Sequence, residues 1–328
     1  MHRSPGEAVA IIAAAPARTG LPSYARQKDT TMMAPAWAIR YRPLRRLGFE
    51  FALSWSFNRS DLPAGTIPGL IVTYAAWTAH AQPASNLPWS LARALLYFWL
   101  FLSIHTLSNQ ATGYTEDQVN KPWRPIPSGM VSVVGAHQRF GVLAVVFLSC
   151  GWLFGVFWWA LSWTALVVAH NYLGSDRHWL TKNLHTFLGS FTSTAAAWQM
   201  IAPITPYGWR WIIAATCYWG LVFIQDLRDI AGDAAAGRQT LPMVLGERQT
   251  RILLATGLIL FPVLAHLLLG APQRLLLSVI WEILLSGTAA CTAARVIRLR
   301  TPRSDHITYQ LYCWLWCWLL LGPAFTHG

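Results

Sequence analysis

Nine apolar runs, each about as long as a helix that crosses a bilayer, constrain this chain more than any other feature. A transmembrane helix needs roughly 20 mainly apolar residues to span the hydrocarbon core. The runs cover approximately residues 63–81, 89–110, 132–149, 151–171, 186–204, 209–227, 251–270, 274–295 and 307–325. Two pairs are almost continuous, so eight spans are an alternative count. The sequence predicts an all-α polytopic membrane protein with about nine transmembrane helices.

The composition agrees with this fold class. Of the 328 residues, 54% are hydrophobic and 12% are charged, whereas a soluble domain carries about 25% charged residues. The formal net charge of +12 could suggest nucleic-acid binding, but no recognisable nucleic-acid-binding fold accompanies it. Basic loops on the cytosolic side of a membrane explain the charge better. We therefore expect the lipid bilayer as a partner and no nucleic acid; protein partners cannot be inferred from the sequence.

The first 45 residues lie outside the pattern of apolar runs. They mix Ala, Pro, Ser and basic residues, and their short apolar run at residues 8–15 is followed by no strong cleavage site. We interpret residues 1–45 as a disordered basic cytosolic tail and residues 46–328 as the transmembrane domain. A short amphipathic helix from about Leu47 to Asn58 is expected before the first span.

Every second loop between the predicted spans is basic. The residues concerned are Arg40, Arg42, Arg45, Arg46, Lys121, Arg124, Arg177, Lys182, Arg228, Arg238, Arg248, Arg251, Arg295, Arg298, Arg300 and Arg303. The loops between them are poor in Lys and Arg, and residues 82–88 contain neither. By the positive-inside rule, the N-terminus and the basic loops are cytosolic. We expect a multi-pass protein of the endoplasmic reticulum with these loops in the cytosol.

Two acidic clusters stand out because the chain has only 13 Asp and Glu residues. The first acidic cluster, residues 109–117, follows the second span, and the second acidic cluster, residues 226–233, follows the sixth. The positions of interest are Asn109, Gly113 and Asp117 in the first, and Asp226, Asp229 and Asp233 in the second. Such spacings place each set near one face of a helix. Both clusters follow even-numbered spans, so they lie on one side of the membrane and can form one site.

Oxygen ligands in this arrangement favour Mg²⁺ and a polyphosphate. Mg²⁺ takes one or two carboxylates together with waters and substrate phosphates. Carboxylates at membrane depth are costly unless they face a cavity or a partner. Helix-end residues that pair with Arg124 or Arg228 are the structural alternative. Two clusters flanked by Lys and Arg favour a site that holds two or three Mg²⁺ ions around a diphosphate.

Both clusters resemble motifs of the UbiA superfamily of intramembrane prenyltransferases. The first motif of that family is Asn-x-x-x-Asp-x-x-x-Asp followed by Arg-Pro, and the second is often followed by Gly-Asp and Thr-Leu-Pro. The matching residues here are Asn109, Asp117, Arg124-Pro125, Gly232-Asp233 and Thr240-Leu241-Pro242. The resemblance implies nine transmembrane helices around a central cavity, a UbiA-like fold, with both motifs on the cytosolic side.

The resemblance also implies roles for individual residues. It implies catalytic, Mg²⁺-binding roles for Asn109, Asp117, Asp226, Asp229 and Asp233, and diphosphate-binding roles for Lys121, Arg124, Lys182 and Arg228. Lys182 lies in a segment, residues 172–183, where the family has a Tyr and a Lys after the fourth span. His178 in the same segment could contact diphosphate or a cation, or could be a solvated loop residue.

Gly113 departs from the family pattern. Members that attach a prenyl chain to an aromatic acceptor usually have an Asp at the middle position of the first motif. The fungal UbiA-type terpene cyclases have Gly or Ala there, and the run Asn120-Lys-Pro-Trp-Arg-Pro-Ile-Pro-Ser-Gly129 also resembles that branch. The expected function is therefore a Mg²⁺-dependent terpene cyclase of secondary metabolism, acting on farnesyl or geranylgeranyl diphosphate.

The expected reaction begins with ionisation of the allylic diphosphate. Mg²⁺ and basic side chains neutralise the charge on the leaving group, and a dry pocket then shapes the carbocation. The chain has 19 Trp, whose faces can stabilise a cation, although most of them suit interfacial belts and helix packing.

Two other functions stay open at this point. An aromatic prenyltransferase would use the same ionisation and pass the prenyl chain to a phenolic acceptor. A transporter would need carboxylates in mid-span and an inverted repeat, whereas these clusters lie at span ends and no such repeat is evident. A cyclic hydrocarbon formed without an acceptor would select the cyclase.

Overall fold

The structure, a computed structural model, is built from helices throughout the residues that it describes, which are 42–235, 237–269 and 275–326. Nearly all of the predicted tail therefore lies outside the described residues. In chain order the α-helices of this part are α1 (Arg42–Asn58), α2 (Thr66–Ala79), α3 (Leu87–Thr112), α4 (Tyr114–Asn120), α5 (Val133–Leu153), α6 (Phe157–Tyr172), α7 (Trp179–Gln199), α8 (Pro206–Trp219), α9 (Asp226–Ala235), α10 (Leu241–Leu245), α11 (Glu247–Leu269), α12 (Leu275–Arg298), α13 (Pro302–Leu320) and α14 (Pro323–Thr326). Short 3₁₀ helices cover Leu62–Ala64, Ala84–Asn86 and Val222–Gln225.

Each of the nine predicted spans overlaps one long helix. These are α2, α3, α5, α6, α7, α8, α11, α12 and α13. By length and hydropathy, four segments of the described chain are long and apolar enough to cross a membrane: Ala84–Thr112, Val133–Leu153, Glu247–Leu269 and Leu275–Arg298. The all-α membrane class is thus confirmed, whereas the number of nine crossings stays a prediction.

The other five long helices are too short or too polar to belong to this set. Helices α2 and α8 have 14 residues each and α6 has 16, which corresponds to roughly 21–24 Å, less than the hydrocarbon thickness. Helices α7 and α13 are long enough but carry polar residues at one end, such as Lys182 and Asp305. These polar ends are the ones that build the candidate site.

The boundary between the third and fourth spans differs from the prediction by a few residues. The sequence placed a turn near Gly151, but α5 continues to Leu153 and the chain turns at Gly155. Gly155 has a φ of 73°, a left-handed conformation that residues with a Cβ rarely adopt. Gly151 has another use, since a Cβ there would collide with Ala160 of α6. Gly155 thus allows the turn, and Gly151 allows the close packing of α5 on α6.

Helix α3 lies at the centre of the part that positions the site. It packs against α2, α5 and α6, and its buried side chains include Tyr97, Phe98 and Phe101. Helix α2 approaches closely because Gly69 faces the Phe98 ring, where any Cβ would overlap the ring. Helix α7 packs on α6, and α8 packs on α7, which completes this half of the bundle. The end of α3 is therefore held rigidly where the first acidic cluster begins.

Candidate active site

The first acidic cluster spans the junction of α3 and α4 at Gly113. The helical hydrogen bonds continue through this junction: the Gly113 amide donates to the Asn109 carbonyl at 2.9 Å, and the Asp117 amide donates to the Gly113 carbonyl at 3.0 Å. The three predicted positions therefore remain near one helical face. Asp117 is buried, and both of its carboxylate oxygens accept from Arg124 Nη1, at 2.9 and 2.7 Å. Asp117 thus fixes the position of a predicted diphosphate-binding residue.

The second acidic cluster lies on α9 and is organised by Lys182 of α7. The Lys182 Nζ donates to Asp226 Oδ1 at 2.7 Å and lies 4.0 Å from Asp233 Oδ2. Asp226 and Asp233 are both buried. Asp229 is more exposed, and its Oδ2 accepts from Arg228 Nε at 3.1 Å. The predicted match of Lys182 to the site thus agrees with its position between two acidic residues.

Arg238 joins the two clusters, although the sequence indicated it only as a loop cation. Its guanidinium lies 2.7 Å from Glu116 of the first cluster and 3.4 Å from Asp233 of the second. Asp176, in the loop before α7, lies 3.6 Å from the same group. One guanidinium therefore connects three chain segments, which supports the expectation that the clusters belong to one site.

His178 has a structural part in this arrangement. Its Nδ1 accepts from the Leu180 amide at 3.2 Å, which caps the N-terminus of α7. An isolated parallel β-bridge pairs His178 with Gln239, and the Gln239 amide donates to the Arg177 carbonyl at 3.1 Å. The side chain is exposed, as in the solvated-loop interpretation. The bridge holds the Arg238 loop beside the loop that precedes α7.

A polar cavity of about 450 Å³ collects most of the predicted site residues. The predicted residues that line it are Asn109, Lys121, Arg124, Lys182, Arg228, Asp229 and Asp233. Asp117 and Asp226 lie behind this wall and reach it through the Arg124 and Lys182 side chains that they bind. Asp61, Glu116, Arg238 and Tyr309 line the same cavity and were not predicted. We call it the polar cavity below.

Lys121 differs electrostatically from the other basic residues of the polar cavity. Within the described part of the chain its side-chain ammonium makes no hydrogen bond or ion pair, whereas the side chains of Arg124, Lys182, Arg228 and Arg238 are all paired with carboxylates. Burial, together with the charge of Arg124, lowers the pKa of the Lys121 ammonium. An anionic ligand would reverse both effects, so Lys121 is the cation best placed to contact a phosphate oxygen.

A second cavity of about 170 Å³ continues from the polar one toward the core, and its lining mixes aromatic residues with polar ones such as Gln110, Ser190 and Ser193. We call it the apolar cavity after its aromatic part. The aromatic residues Phe101, Trp163, Trp219 and Trp316 line it. The Phe101 and Trp163 rings stack at 4.0 Å, and the Trp163 Nε1 donates to the Phe101 carbonyl at 2.9 Å. The residues that line both cavities are Asp61, His105, Asn109, Arg124, His185, Thr186, Gln225 and Tyr309. A ligand with a charged head and an apolar chain would fit across this boundary.

A side cavity of about 430 Å³ opens next to the polar cavity, between α13 and the loops after α1 and α4. Its aromatic lining is Trp123, Tyr309 and Trp314. The Arg228 guanidinium lies 4.5 Å above the Tyr309 ring, a cation–π distance, and its Nη1 is 2.9 Å from His306 Nδ1. Two residues of helix α13 therefore orient the Arg228 guanidinium, a contribution that the sequence did not indicate.

The donor set of the polar cavity fits a hard divalent cation. Asn109, Asp229 and Asp233 present oxygen atoms to the cavity, and the buried Oδ2 atoms of Asp226 and Asp233 accept no hydrogen bond from the described residues. Burial raises the pKa of Asp233, against the opposing charges of Lys182 and Arg238, so a bound cation would favour its ionised form. No three His, Cys, Asp or Glu side chains in the described ranges form a metal-binding group by themselves, which agrees with an ion completed by water and phosphate.

Some residues of the site could have been found from the sequence and others could not. Asp61 is one of only 13 acidic residues, so the scarcity that indicated the two clusters applied to it as well. Arg238 lies five positions after Asp233, beyond the end of α9. Tyr309 and the histidines at the cavity boundary lie within apolar helices, and their residue types carried no signal in the sequence.

Comparison with known proteins identifies relatives over most of the chain. The profile of the UbiA prenyltransferase family matches residues 69–320. Somaliensene A/B synthase of Streptomyces somaliensis is 42% identical over 264 residues, covering 80% of this chain and 88% of that protein. The polyprenyl transferase eriF of Hericium erinaceus is 35% identical over 295 residues, with 86% and 98% covered. The diterpene cyclase eriG of the same fungus is 33% identical over 279 residues, with 84% and 87% covered.

Solved structures share the fold at low sequence identity. A digeranylgeranylglyceryl phosphate synthase structure superposes with a TM-score of 0.60 at 14% identity, covering 84% of this chain and 98% of that one. A UbiA homologue from Archaeoglobus fulgidus, bound to GPP and Mg²⁺, gives a TM-score of 0.57 at 13% identity, covering 82% and 99%. The helical arrangement described above is therefore that of known integral membrane proteins.

Proposed function

The chain belongs to the UbiA prenyltransferase family, and we propose that within it the protein is a terpene cyclase. It ionises an allylic prenyl diphosphate, farnesyl or geranylgeranyl, and cyclises the carbocation to a hydrocarbon with release of diphosphate. The observation that carries this proposal is the continuity of a cation-lined polar cavity with an aromatic apolar cavity. Relatives named as a synthase and a cyclase support it.

The polar cavity would hold the diphosphate through its basic residues. Lys121, Arg124, Lys182 and Arg228 surround one space, and each could donate to phosphate oxygens as negative charge builds up on the leaving group. Asp117 keeps the Arg124 guanidinium at the cavity wall. Preorganised donors of this kind stabilise the transition state because they need no reorientation during the reaction.

Mg²⁺ is the proposed cofactor, held by Asn109, Asp117, Asp226, Asp229 and Asp233, directly or through water. When bound, it would supply Lewis-acid neutralisation of the diphosphate charge. A structure of a family member with GPP and Mg²⁺ supports this assignment, as do the unpaired carboxylate oxygens described above.

The apolar cavity would receive the prenyl chain. Among the described residues, the tryptophans that line it are Trp163, Trp219 and Trp316, and their ring faces can stabilise a cation while they exclude water. Exclusion of water is necessary because water would capture the carbocation before ring closure. The size of this cavity and the shape of its wall would decide the product.

An aromatic prenyltransferase is the second candidate, and the side cavity is the observation in its favour. This space adjoins Lys121, Arg228 and Asp229 and is lined by Trp123 and Trp314, so a flat acceptor could approach the ionising bond from there. The relative named polyprenyl transferase also favours it. Gly113, where acceptor-transferring members usually have an Asp, argues for the cyclase.

We also propose the orientation and the domain limits indicated by the sequence. The polar cavity would face the cytosol, because the loops around it carry the excess of Lys and Arg. Residues 46–328 would form the prenyl-diphosphate-binding domain, preceded by a disordered tail at residues 1–45. Location in the endoplasmic reticulum stays a prediction, since the relatives come from a bacterium as well as from fungi.

Removal of divalent metal is expected to stop diphosphate release. Membranes containing the protein are incubated with Mg²⁺ and each prenyl diphosphate, without an acceptor, and the extract is examined for hydrocarbons. A cyclic hydrocarbon together with diphosphate is the expected result, and EDTA should reduce both to background. Diphosphate release that persists in EDTA would contradict the metal assignment, and product formed only after a phenol is added would select the prenyltransferase.

The substitution Gly113→Asp is expected to lower the Mg²⁺ concentration for half-maximal diphosphate release by roughly tenfold, because ligand charge tunes cation affinity. Gly113 has a φ of −87°, which residues with a side chain adopt, although a Cβ there would lie 3.0 Å from the Asn109 carbonyl oxygen, so the backbone must shift slightly. Gly113 lines an annex of about 230 Å³ beside Glu116 and Asp117. Gly113→Asn is the control of equal size without charge. An unchanged Mg²⁺ requirement would show that position 113 does not reach the metal, and an unchanged hydrocarbon would show that it does not separate the two reactions.

A further inference from the structure

Three histidines from three helices meet at the boundary of the polar and apolar cavities. His105 lies on α3, His170 on α6 and His185 on α7. The His170 and His185 rings stack at 4.0 Å between centroids, and His105 lies 5.4 Å from His185 and 5.9 Å from His170. We call these residues the histidine cluster. Nothing in the assigned roles of the acidic clusters uses it.

The imidazoles of the histidine cluster are buried without hydrogen-bond partners at one nitrogen. His170 and His185 are 7% and 5% exposed. The Nδ1 atoms of all three are buried and receive no hydrogen bond from the described residues. A buried polar group without a partner costs free energy, and ionisable residues at membrane depth are usually functional.

The position of the cluster suits contact with the hydrocarbon chain. His105 and His185 line both cavities, and His170 lines the polar one. The Trp163 ring lies 5.2 Å from His185 and 5.7 Å from His105, on the apolar side. A carbocation held beside the tryptophan would therefore face imidazole rings across the cavity boundary.

We propose that the histidine cluster is the base that ends the reaction, with His105 and His185 as the proton acceptors; this inference rests on the proposed cyclase function. A C–H bond next to the cationic carbon breaks, and its electron pair forms the C=C bond of the product. The proton goes to the lone pair of an imidazole nitrogen, which becomes imidazolium. Neutral imidazole can accept a proton in this way, while the neighbouring hydroxyl and amide groups are much weaker bases. The Asp61 carboxylate also lines both cavities and is the competing acceptor, which would preserve the native product ratio in the histidine variants described below.

The surroundings also let the cluster return to its neutral form. Trp163 can stabilise the imidazolium through its ring face. The stacked His170 lines the polar cavity together with Lys182 and Asp233. The proton can leave in that direction to the released diphosphate, which is an anion with basic oxygens. Charge is balanced, since the proton lost by the carbocation neutralises the one negative charge that the leaving group gained when its C–O bond broke.

The test compares His105→Phe, His185→Phe and the double variant with the wild type, measuring diphosphate release and products in the same incubation. Phenylalanine keeps a ring of similar size but has no nitrogen lone pair. We expect diphosphate release within a few-fold of wild type, and at least about a tenfold loss of the native hydrocarbon per diphosphate released, as is typical when a general base is removed. Alcohols and isomeric alkenes should replace the native product. His266→Phe, an exposed histidine on α11, is the matched control.

The outcomes separate this inference from the proposed function. The inference is wrong if the phenylalanine variants make the native hydrocarbon in the wild-type ratio to diphosphate. It is also wrong if hydrocarbon and diphosphate fall together, because that result indicates a structural role. A wild-type protein that releases no diphosphate from any prenyl diphosphate overturns the proposed function and this inference with it. Thermal unfolding of each variant in detergent establishes that the variants are folded.

Discussion

Asp229→Ala is expected to lower diphosphate release by about 10²–10³-fold, the effect of removing one group that stabilises charge developing in a transition state. The Asp229 side chain is 45% exposed, so its loss should leave the fold intact. Arg228 would keep its contacts with His306 and Tyr309. The substitution therefore removes a proposed metal ligand and leaves the Arg228 guanidinium in position.

The measurement is diphosphate release at saturating substrate with the Mg²⁺ concentration varied. Glu282→Gln is the matched control, because that carboxylate on α12 pairs with His266 outside the cavities and carries no assigned role. Activity of Asp229→Ala within a few-fold of wild type would remove Asp229 from the proposed ligands. Asp117→Ala should be at least as damaging, since the buried Asp117 carboxylate also holds Arg124 in place.

Arg251→Met is expected to lower the free energy of unfolding by about 3–5 kcal/mol, the range found when one partner of a buried ion pair is removed. Arg251 is 2% exposed. Its Nη1 and Nη2 donate to the two carboxylate oxygens of Asp305 at 2.8 and 2.7 Å, and Nη1 also donates to the Val296 carbonyl at 2.9 Å. The single substitution would leave the buried Asp305 carboxylate without its cation.

The measurement is the unfolding midpoint of the purified protein in detergent. The double variant Arg251→Met/Asp305→Leu is the informative control, because replacing a whole buried pair with apolar residues is often neutral or stabilising. The double variant should therefore recover most of the loss. A single variant as stable as the wild type would contradict the anchoring role of this ion pair. A double variant less stable than Arg251→Met would show that the shape of the two side chains matters more than their charges.

The sequence predicted the class of fold because hydrophobic length is a local property. Each apolar run found from position 63 onward corresponds to a helix, and the spacing of Asp226, Asp229 and Asp233 indicated α9 correctly. The number of crossings does not follow from the apolar runs alone, because α2 and α8 are only 14 residues long, shorter than the runs that predicted them. An apolar run does not show where a helix inside it begins and ends.

The partners within the site could not be predicted because they depend on packing between distant helices. His105 and His185 lie 80 positions apart in the chain and meet only because α3 and α7 both border the same cavity. Arg251 shows the opposite case. The sequence counted it among cytosolic loop charges, whereas the structure buries it against Asp305. Charge alternation predicts sidedness, but it does not distinguish a solvated cation from one that is used for packing.

Helix α13 joins stability to catalytic alignment through the neighbouring positions Asp305, His306 and Tyr309, of which His306 contacts Arg228. Asp305 binds Arg251, and Tyr309, one helical turn later, supports Arg228 at the polar cavity. The rotation of this helix about its axis is thus set by a charge pair that lies outside the cavity lining. Because a misplacement of about 1 Å can cost roughly a hundredfold in rate, residues far from the diphosphate decide whether Arg228 points at it. Substitutions that loosen the bundle at Arg251 will therefore also reduce catalysis, before any of the chain unfolds.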